Sequence, residues 1–136
     1  RVAVTADGEL ELANAFLKEQ AGLDGAERTE SGIIIHEMTV GTGANPAAED
    51  TVSVQYHGTL RDGTVFDSSV DRGEPATFPL TGVIPCWTED VQRIAVGGKS
   101  RLVCPPDLAY GPQGRPGIPG NAALMFEVEL LEIVEN

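Results

Sequence analysis

Two histidines, His36 and His57, and two cysteines, Cys86 and Cys104, are the side chains from which nucleophilic or metal chemistry would first be built. Neither histidine sits in a G-x-S-x-G or comparable frame, so no nucleophile is paired with a base. A lone histidine on the outward face of a strand reads as a solvated residue. The His and Cys positions show no C-x-x-C or H-x-x-x-H spacing, which leaves metal ligation without support. Gly41-Thr42-Gly43 lacks the third glycine and the following lysine of a phosphate cradle. The aromatic residues carry more information. Of only seven (four Phe, two Tyr, one Trp), Tyr56 and Phe66 flank a hairpin, Trp87 opens a helix, Tyr110 opens a proline-rich segment and Phe126 follows it. Buried phenols need hydrogen-bond partners, so Tyr56 and Tyr110 point to a pocket that a polar ligand can reach. Phe78 reads as plain core.

The elements that must position these residues follow from periodicity. Leu10, Ala13, Leu17 and Ala21, with Phe16 beside them, repeat at helical spacing, and Gly22 and Gly25 end that helix. A helix this short is marginal alone, so its apolar stripe must pack on the main domain, on a partner chain or on a longer helical segment. Ile33, Ile34 and Ile35 form a β-branched run after Gly32, and Gly41 to Pro46 reads as a loop. Thr51 to His57 alternates, with Val52, Val54 and Tyr56 on one face and Ser53, Gln55 and His57 on the other, as in a half-buried strand. Arg61-Asp62-Gly63-Thr64 supplies a hairpin turn before Val65 and Phe66.

Trp87, Val91 and Ile94, at i, i+4 and i+7 between Pro85 and Gly97-Gly98, predict one short amphipathic helix. Lys99 to Cys104 is a further strand, stopped by Pro105-Pro106. Leu124, Phe126, Val128 and Leu130 alternate against Met125, Glu127, Glu129 and Leu131 in a long final strand. Strands joined by hairpins around one central helix imply an α+β fold, a mainly antiparallel sheet wrapped over the helix. The connection from Pro105 to Asn121 is long, and loops of that length in compact domains are functional or disordered. Within it GPQGRPGIPG, Gly111 to Gly120, has the glycine period of collagen, but Gly is only 16 of 136 residues and the period is not sustained. Its prolines and glycines shape a loop instead.

Composition narrows the partners. Hydrophobic residues at 41% and charged residues at 22% describe one folding domain rather than a disordered chain. Net charge is −12 and the nine basic residues are scattered singly, which argues against nucleic acid or an anionic membrane surface. No apolar run reaches a membrane span of roughly 18 residues, and no signal peptide opens the chain. The start at Arg1 suggests a processed or trimmed product.

Five strings in order carry a family resemblance: Tyr56-His57-Gly58, Asp62 to Ser69, Val83-Ile84-Pro85-Cys86-Trp87, Leu108-Ala109-Tyr110-Gly111 and Leu124 to Leu130. Together they resemble the FK506-binding protein (FKBP) family of peptidyl-prolyl isomerases over residues 31–136. Phe78-Pro79-Leu80-Thr81-Gly82, with Ala76 before it, is similar to the bacterial branch typified by the macrophage infectivity potentiator (Mip). Ala15 to Glu19 with Ser31-Gly32 looks like the end of that branch's linker helix, so residues 1–30 read as N-terminal helix and linker.

The resemblance implies a twisted antiparallel sheet around one short helix, preceded by the N-terminal helix. It implies rotation about Xaa-Pro bonds, in a dry pocket lined by Tyr56, Phe66, Asp67, Val83, Ile84, Trp87, Tyr110, Ile118 and Phe126, with Trp87 as floor and Arg72 at the rim. Of these, Asp67, Tyr110, Trp87, Phe66, Tyr56 and Phe126 would carry catalysis, and Gly111 to Gly120 would be the flap. No cofactor or metal is implied. Expected partners are proline-containing polypeptides and macrolide inhibitors such as FK506 or rapamycin. Any homodimer would form only through N-terminal sequence missing here, and export to the periplasm or cell surface is expected. The competing reading is a non-catalytic binding or chaperone module on the same fold. Cys86 stands where many members have Gly, and Cys104 takes a strand position usually apolar. The pair forms one bridge if their Cα atoms fall within about 7 Å, or else remains as two buried thiols.

Overall fold

The computed structural model describes residues 6–134. Residues 1–5, the start of the expected N-terminal unit, and 135–136 lie outside them. Seven strands form one sheet, each pairing antiparallel: β1 (Ala26–Arg28), β2 (Ile34–Thr39), β3 (Thr51–Leu60), β4 (Val65–Ser68), β5 (Ala76–Pro79), β6 (Lys99–Cys104) and β7 (Leu124–Val134). The strand order is β1-β2-β6-β7-β3-β4, with β5 also paired to β3. Helices α1 (Ala6–Ala21), α2 (Ser69–Arg72) and α3 (Pro85–Asp90) complete the fold.

Alternation along the strands sorts the two faces. Val52, Val54 and Tyr56 of β3, Leu102 and Cys104 of β6, and Leu124, Phe126, Val128 and Leu130 of β7 point to one core, filled from the other side by Cys86, Trp87, Val91 and Ile94. The opposite face presents Ile34, Val103 and Ala123, and Ala13 and Leu17 of α1 cover it. Ala13 and Leu17 of the apolar stripe thus pack on the chain's own sheet, with Phe16 and Ala21 partly buried beside them, while Leu10 stays exposed. A paired fork fixes its placement: Arg61, beside the β3–β4 turn, donates Nε to Glu9 Oε2 at 2.7 Å and Nη2 to Oε1 at 3.0 Å.

Several elements depart from the periodicity reading. The central helix is α-helical only to Asp90, and Val91–Arg93 continue as a 3-10 turn that still returns Ile94 to the core. β3 runs on to Leu60, where it still pairs with β7 at Leu124, and β4 pairs with it from His57 to Thr59. β1 and α2 are additional. The first lengthens the sheet by three residues; the second is one turn, capped by the Ser68 hydroxyl accepting from Asp71 N–H and closed by Gly73 at φ 79°. The connection after β6 contains 3-10 turns at Pro106–Leu108 and Gly111–Gln113. Cys86 and Cys104 are joined by a disulfide, Cα–Cα 5.8 Å, which ties the first turn of α3 to the end of β6.

Candidate active site

At one end of the sheet, side chains from five elements and two connections surround a cavity of about 480 Å³, within the size range of small-molecule sites. β3 contributes Tyr56, β4 Phe66 and Asp67, β5 Phe78, α3 Trp87 and β7 Phe126. The connection into α3 adds Gly82, Val83 and Ile84, and the Pro/Gly-rich flap adds Tyr110 and Arg115.

Trp87 is the base of this arrangement because Pro85 starts α3 two residues earlier and the disulfide at Cys86 anchors that turn. The indole is 4% exposed and meets three rings edge-on: Tyr56 at 5.3 Å, Phe126 at 5.3 Å and Phe78 at 5.6 Å between centroids. Phe66 and Phe126 form a further edge-on pair at 5.4 Å. Such pairs each add about 0.5–1.5 kcal/mol beyond area burial. Gly58 makes room for them: a Cβ there would lie 2.7 Å from Phe66 and 3.1 Å from Phe126.

A polar triangle closes the rim. Tyr56 hydroxyl donates to Asp67 Oδ2 at 2.6 Å, Arg72 Nη1 donates to Oδ1 at 2.6 Å, and Arg72 Nη2 donates to the Tyr56 oxygen at 3.1 Å. The single turn of α2 brings Arg72 back over Asp67. Buried Ser69 secures the junction: its hydroxyl accepts from Tyr56 N–H at 2.8 Å and donates to Gln55 at 2.7 Å. Burial works against the Asp67 carboxylate, but hydrogen bonds from Tyr56 and Arg72 prevail and hold its pKa below the ordinary value. The Tyr56 phenol is raised, first by burial and then by its bond to Asp67. The same bonds raise Arg72. Asp67 is therefore an ionised acceptor already in use, a poor starting point for a general base.

The flap owes its shape to left-handed glycines. Gly111, Gly114 and Gly117 have φ of 67°, 62° and 85°, so the triplet spacing places the residue with least steric cost at each bend. Arg115-Pro116-Gly117-Ile118 closes on itself, Arg115 N–H to Ile118 carbonyl at 3.0 Å and Ile118 N–H to Arg115 carbonyl at 2.8 Å. Asn121 N–H donates to the Gly111 carbonyl at 2.8 Å and shuts the base of the loop.

Tyr56, Phe66, Asp67, Val83, Ile84, Trp87, Tyr110 and Phe126 thus meet around one cavity. Arg72 reaches it through Asp67 and Tyr56 rather than forming its wall. Ile118, buried in the same apolar cluster as Tyr56, Trp87 and Phe126, is not among the side chains that border the cavity itself. Phe78, read as plain core, borders the cavity: β5 sets it opposite Val52 of β3, and its ring meets Tyr56 at 5.8 Å between centroids. Gly82 and Arg115 were not legible as site residues. Arg115 is one of nine scattered basic residues, and only the folded flap distinguishes it.

Comparison with known proteins agrees with this fold. FkpA of Aeromonas hydrophila, an FKBP-type peptidyl-prolyl cis-trans isomerase, is 56% identical over 87% of this chain and 44% of its own. The peptidyl-prolyl cis-trans isomerase Mip of Coxiella burnetii is 43% identical over 90% of this chain and 54% of its own. The crystal structure of FkpA from Escherichia coli superposes with a TM-score of 0.92 at 44% identity, covering 94% of this chain and 60% of that one. The chain therefore spans about half the length of these relatives. The profile of FKBP-type peptidyl-prolyl cis-trans isomerases matches residues 43–131, from the loop before β3 to near the end of β7. With the aromatic cavity lying inside the matched span, the chain belongs to the FKBP-type peptidyl-prolyl cis-trans isomerase family.

Proposed function

We propose that the chain accelerates cis–trans rotation about Xaa-Pro bonds of polypeptides and so assists their folding. The observation that carries this reading is the box of Tyr56, Phe66, Trp87 and Phe126 around a cavity whose rim carboxylate, Asp67, is already engaged. The reaction has a barrier of ~18–20 kcal/mol and makes or breaks no covalent bond. Conjugation is lost in the twisted state: nitrogen becomes pyramidal and the carbonyl oxygen loses partial negative charge. Water stabilises the planar, more dipolar amide, so an apolar enclosure favours the twisted form.

Trp87, Phe66, Tyr56 and Phe126 hold the prolyl ring. Tyr110 hydroxyl and the Ile84 N–H position the substrate carbonyls; Ile84 precedes the first turn of α3, where an N–H has no partner in the helix ladder. Asp67 holds Tyr56 and Arg72 and sets the polarity of the rim. Macrolides of the FK506 and rapamycin type would occupy the same cavity. The disulfide suits an oxidising compartment, consistent with export to the periplasm or cell surface.

Two-dimensional exchange NMR on a short Leu-Pro-Phe peptide tests the proposal. Catalytic amounts of the chain should shorten the exchange time far below the uncatalysed tens to hundreds of seconds. A folded chain that binds the peptide without accelerating exchange would instead be a binding module.

A further inference from the structure

The two arginines at the cavity are not equivalent. Arg72 spends its charge on Asp67 and Tyr56. Arg115 forms part of the cavity wall, yet none of the ion pairs among the described residues involves it. Its guanidinium lies 5.0 Å over the Tyr110 ring, and Nη1 donates to the Tyr110 hydroxyl at 3.2 Å. The closed turn from Arg115 to Ile118 fixes the backbone that carries it. Stacking and one hydrogen bond leave further N–H groups of the fork without a carboxylate. With Asp67 balanced by Arg72, Arg115 is an uncompensated cation facing the cavity of a chain whose net charge is −12.

We infer that Arg115 is a specificity-determining residue, favouring Xaa-Pro segments with Asp or Glu adjoining the proline. The inference rests on the isomerase reading and names the substrate class within it. An apolar cavity accepts the prolyl ring whatever its neighbours, so discrimination falls to polar groups at the wall. A guanidinium held over Tyr110 is placed to meet a carboxylate one residue from the ring. The acidic surface opposes such substrates at long range, but that opposition is screened beyond about 10 Å at 0.1 M salt, whereas the Arg115 contact is local. Because Arg115 is exposed, the preference should be modest, about two- to fivefold.

Exchange NMR on matched peptides, with Glu, Gln or Leu placed before the proline or after it, supplies the test. In the wild-type chain at about 0.1 M salt, kcat/KM for the Glu peptide should exceed that for its Gln counterpart about two- to fivefold in at least one of the two positions. Arg115→Gln should bring that ratio to one or below, Arg115→Lys should restore part of it, and 0.5 M salt should reduce it. Any general loss of activity affects Glu and Gln peptides alike and cancels in the ratio. A wild-type ratio at or below one in both positions, or a ratio indifferent to Arg115→Gln, overturns the inference. No catalysis of any peptide, Leu-Pro included, overturns the isomerase reading beneath it.

Discussion

Tyr56 and Asp67 share a 2.6 Å hydrogen bond at the cavity rim, and Arg72 donates to both partners. Asp67 sits below its ordinary pKa of 3.8 and Tyr56 above its ordinary 10.0, so neither titrates between those values. The depressed Asp67 contributes stability that is present above its unfolded pKa and is lost as pH falls through its folded one. Accordingly kcat/KM should be flat from pH 5 to pH 9, roughly the span between the two ordinary pKa values. A limb inside that span that persists in Asp90→Asn would instead assign a general base. Tyr56→Phe should keep the profile flat and lower activity by about tenfold or less, since one charge-assisted hydrogen bond at a half-exposed carboxylate is worth about 1 kcal/mol.

Gly58 is required by its neighbours rather than by its backbone. Gly58→Ala should force the Phe66–Phe126 pair apart, because the new Cβ would sit 2.7 Å from the Phe66 ring. Overpacking of this kind costs about 1–3 kcal/mol in stability. Loss of activity should exceed the loss shown by Gly63→Ala in the hairpin turn, where a Cβ meets nothing within 4 Å and only the strained φ of 90° is at stake.

The disulfide closes a loop with a sequence separation of 18. Chain-entropy reasoning gives it about 3 kcal/mol, so a Cys86→Ser, Cys104→Ser double variant should unfold at correspondingly lower denaturant concentration. Thiol labelling after denaturation without reductant should find neither cysteine. Labelling of both would remove the bridge.

Asp90, the last residue of α3, is fully buried, with the Arg93 guanidinium Nε 3.2 Å from its Oδ1 as an ion-pair partner. Burial, opposed by Arg93 and aided by Glu89, pushes its pKa up to about 6 from 3.8. The folded chain holds the proton more tightly than the unfolded one, so this group's contribution falls as pH rises from about 4 to about 6 and stays low above. At 1.36 kcal/mol per unit, Asp90→Asn should be more stable than wild type at pH 7 by up to about 3 kcal/mol, with the gain vanishing near pH 4. Chemical denaturation at the two pH values checks the sign.

Long, strongly patterned elements were legible in the sequence and short ones were not. Lys99–Cys104 and the alternation of Leu124 to Leu130 reproduce β6 and β7 because each buries one face against the core. Ala26–Arg28 joins the sheet with two charged residues and no alternation, so its pairing to β2 is a tertiary outcome. The one-turn α2 left a faint trace in Ser68 and Gly73, its two caps. Most of the cavity wall was marked by motif residues. Phe78 and Arg115 reach it through strand pairing and flap closure, which no local pattern encodes.

Exchange at a single Leu-Pro bond, compared between the wild-type chain and Trp87→Leu, bears directly on the claim that the aromatic cavity is where rotation is accelerated. Trp87→Leu removes the floor that Tyr56, Phe78 and Phe126 pack against while leaving the Asp67–Arg72 pair in place. Acceleration by the wild type, reduced tenfold or more in the variant, would correspond to at least about 1.4 kcal/mol of lost transition-state stabilisation and is the expected result. Equal acceleration by a folded Trp87→Leu variant would contradict it and place the chemistry elsewhere.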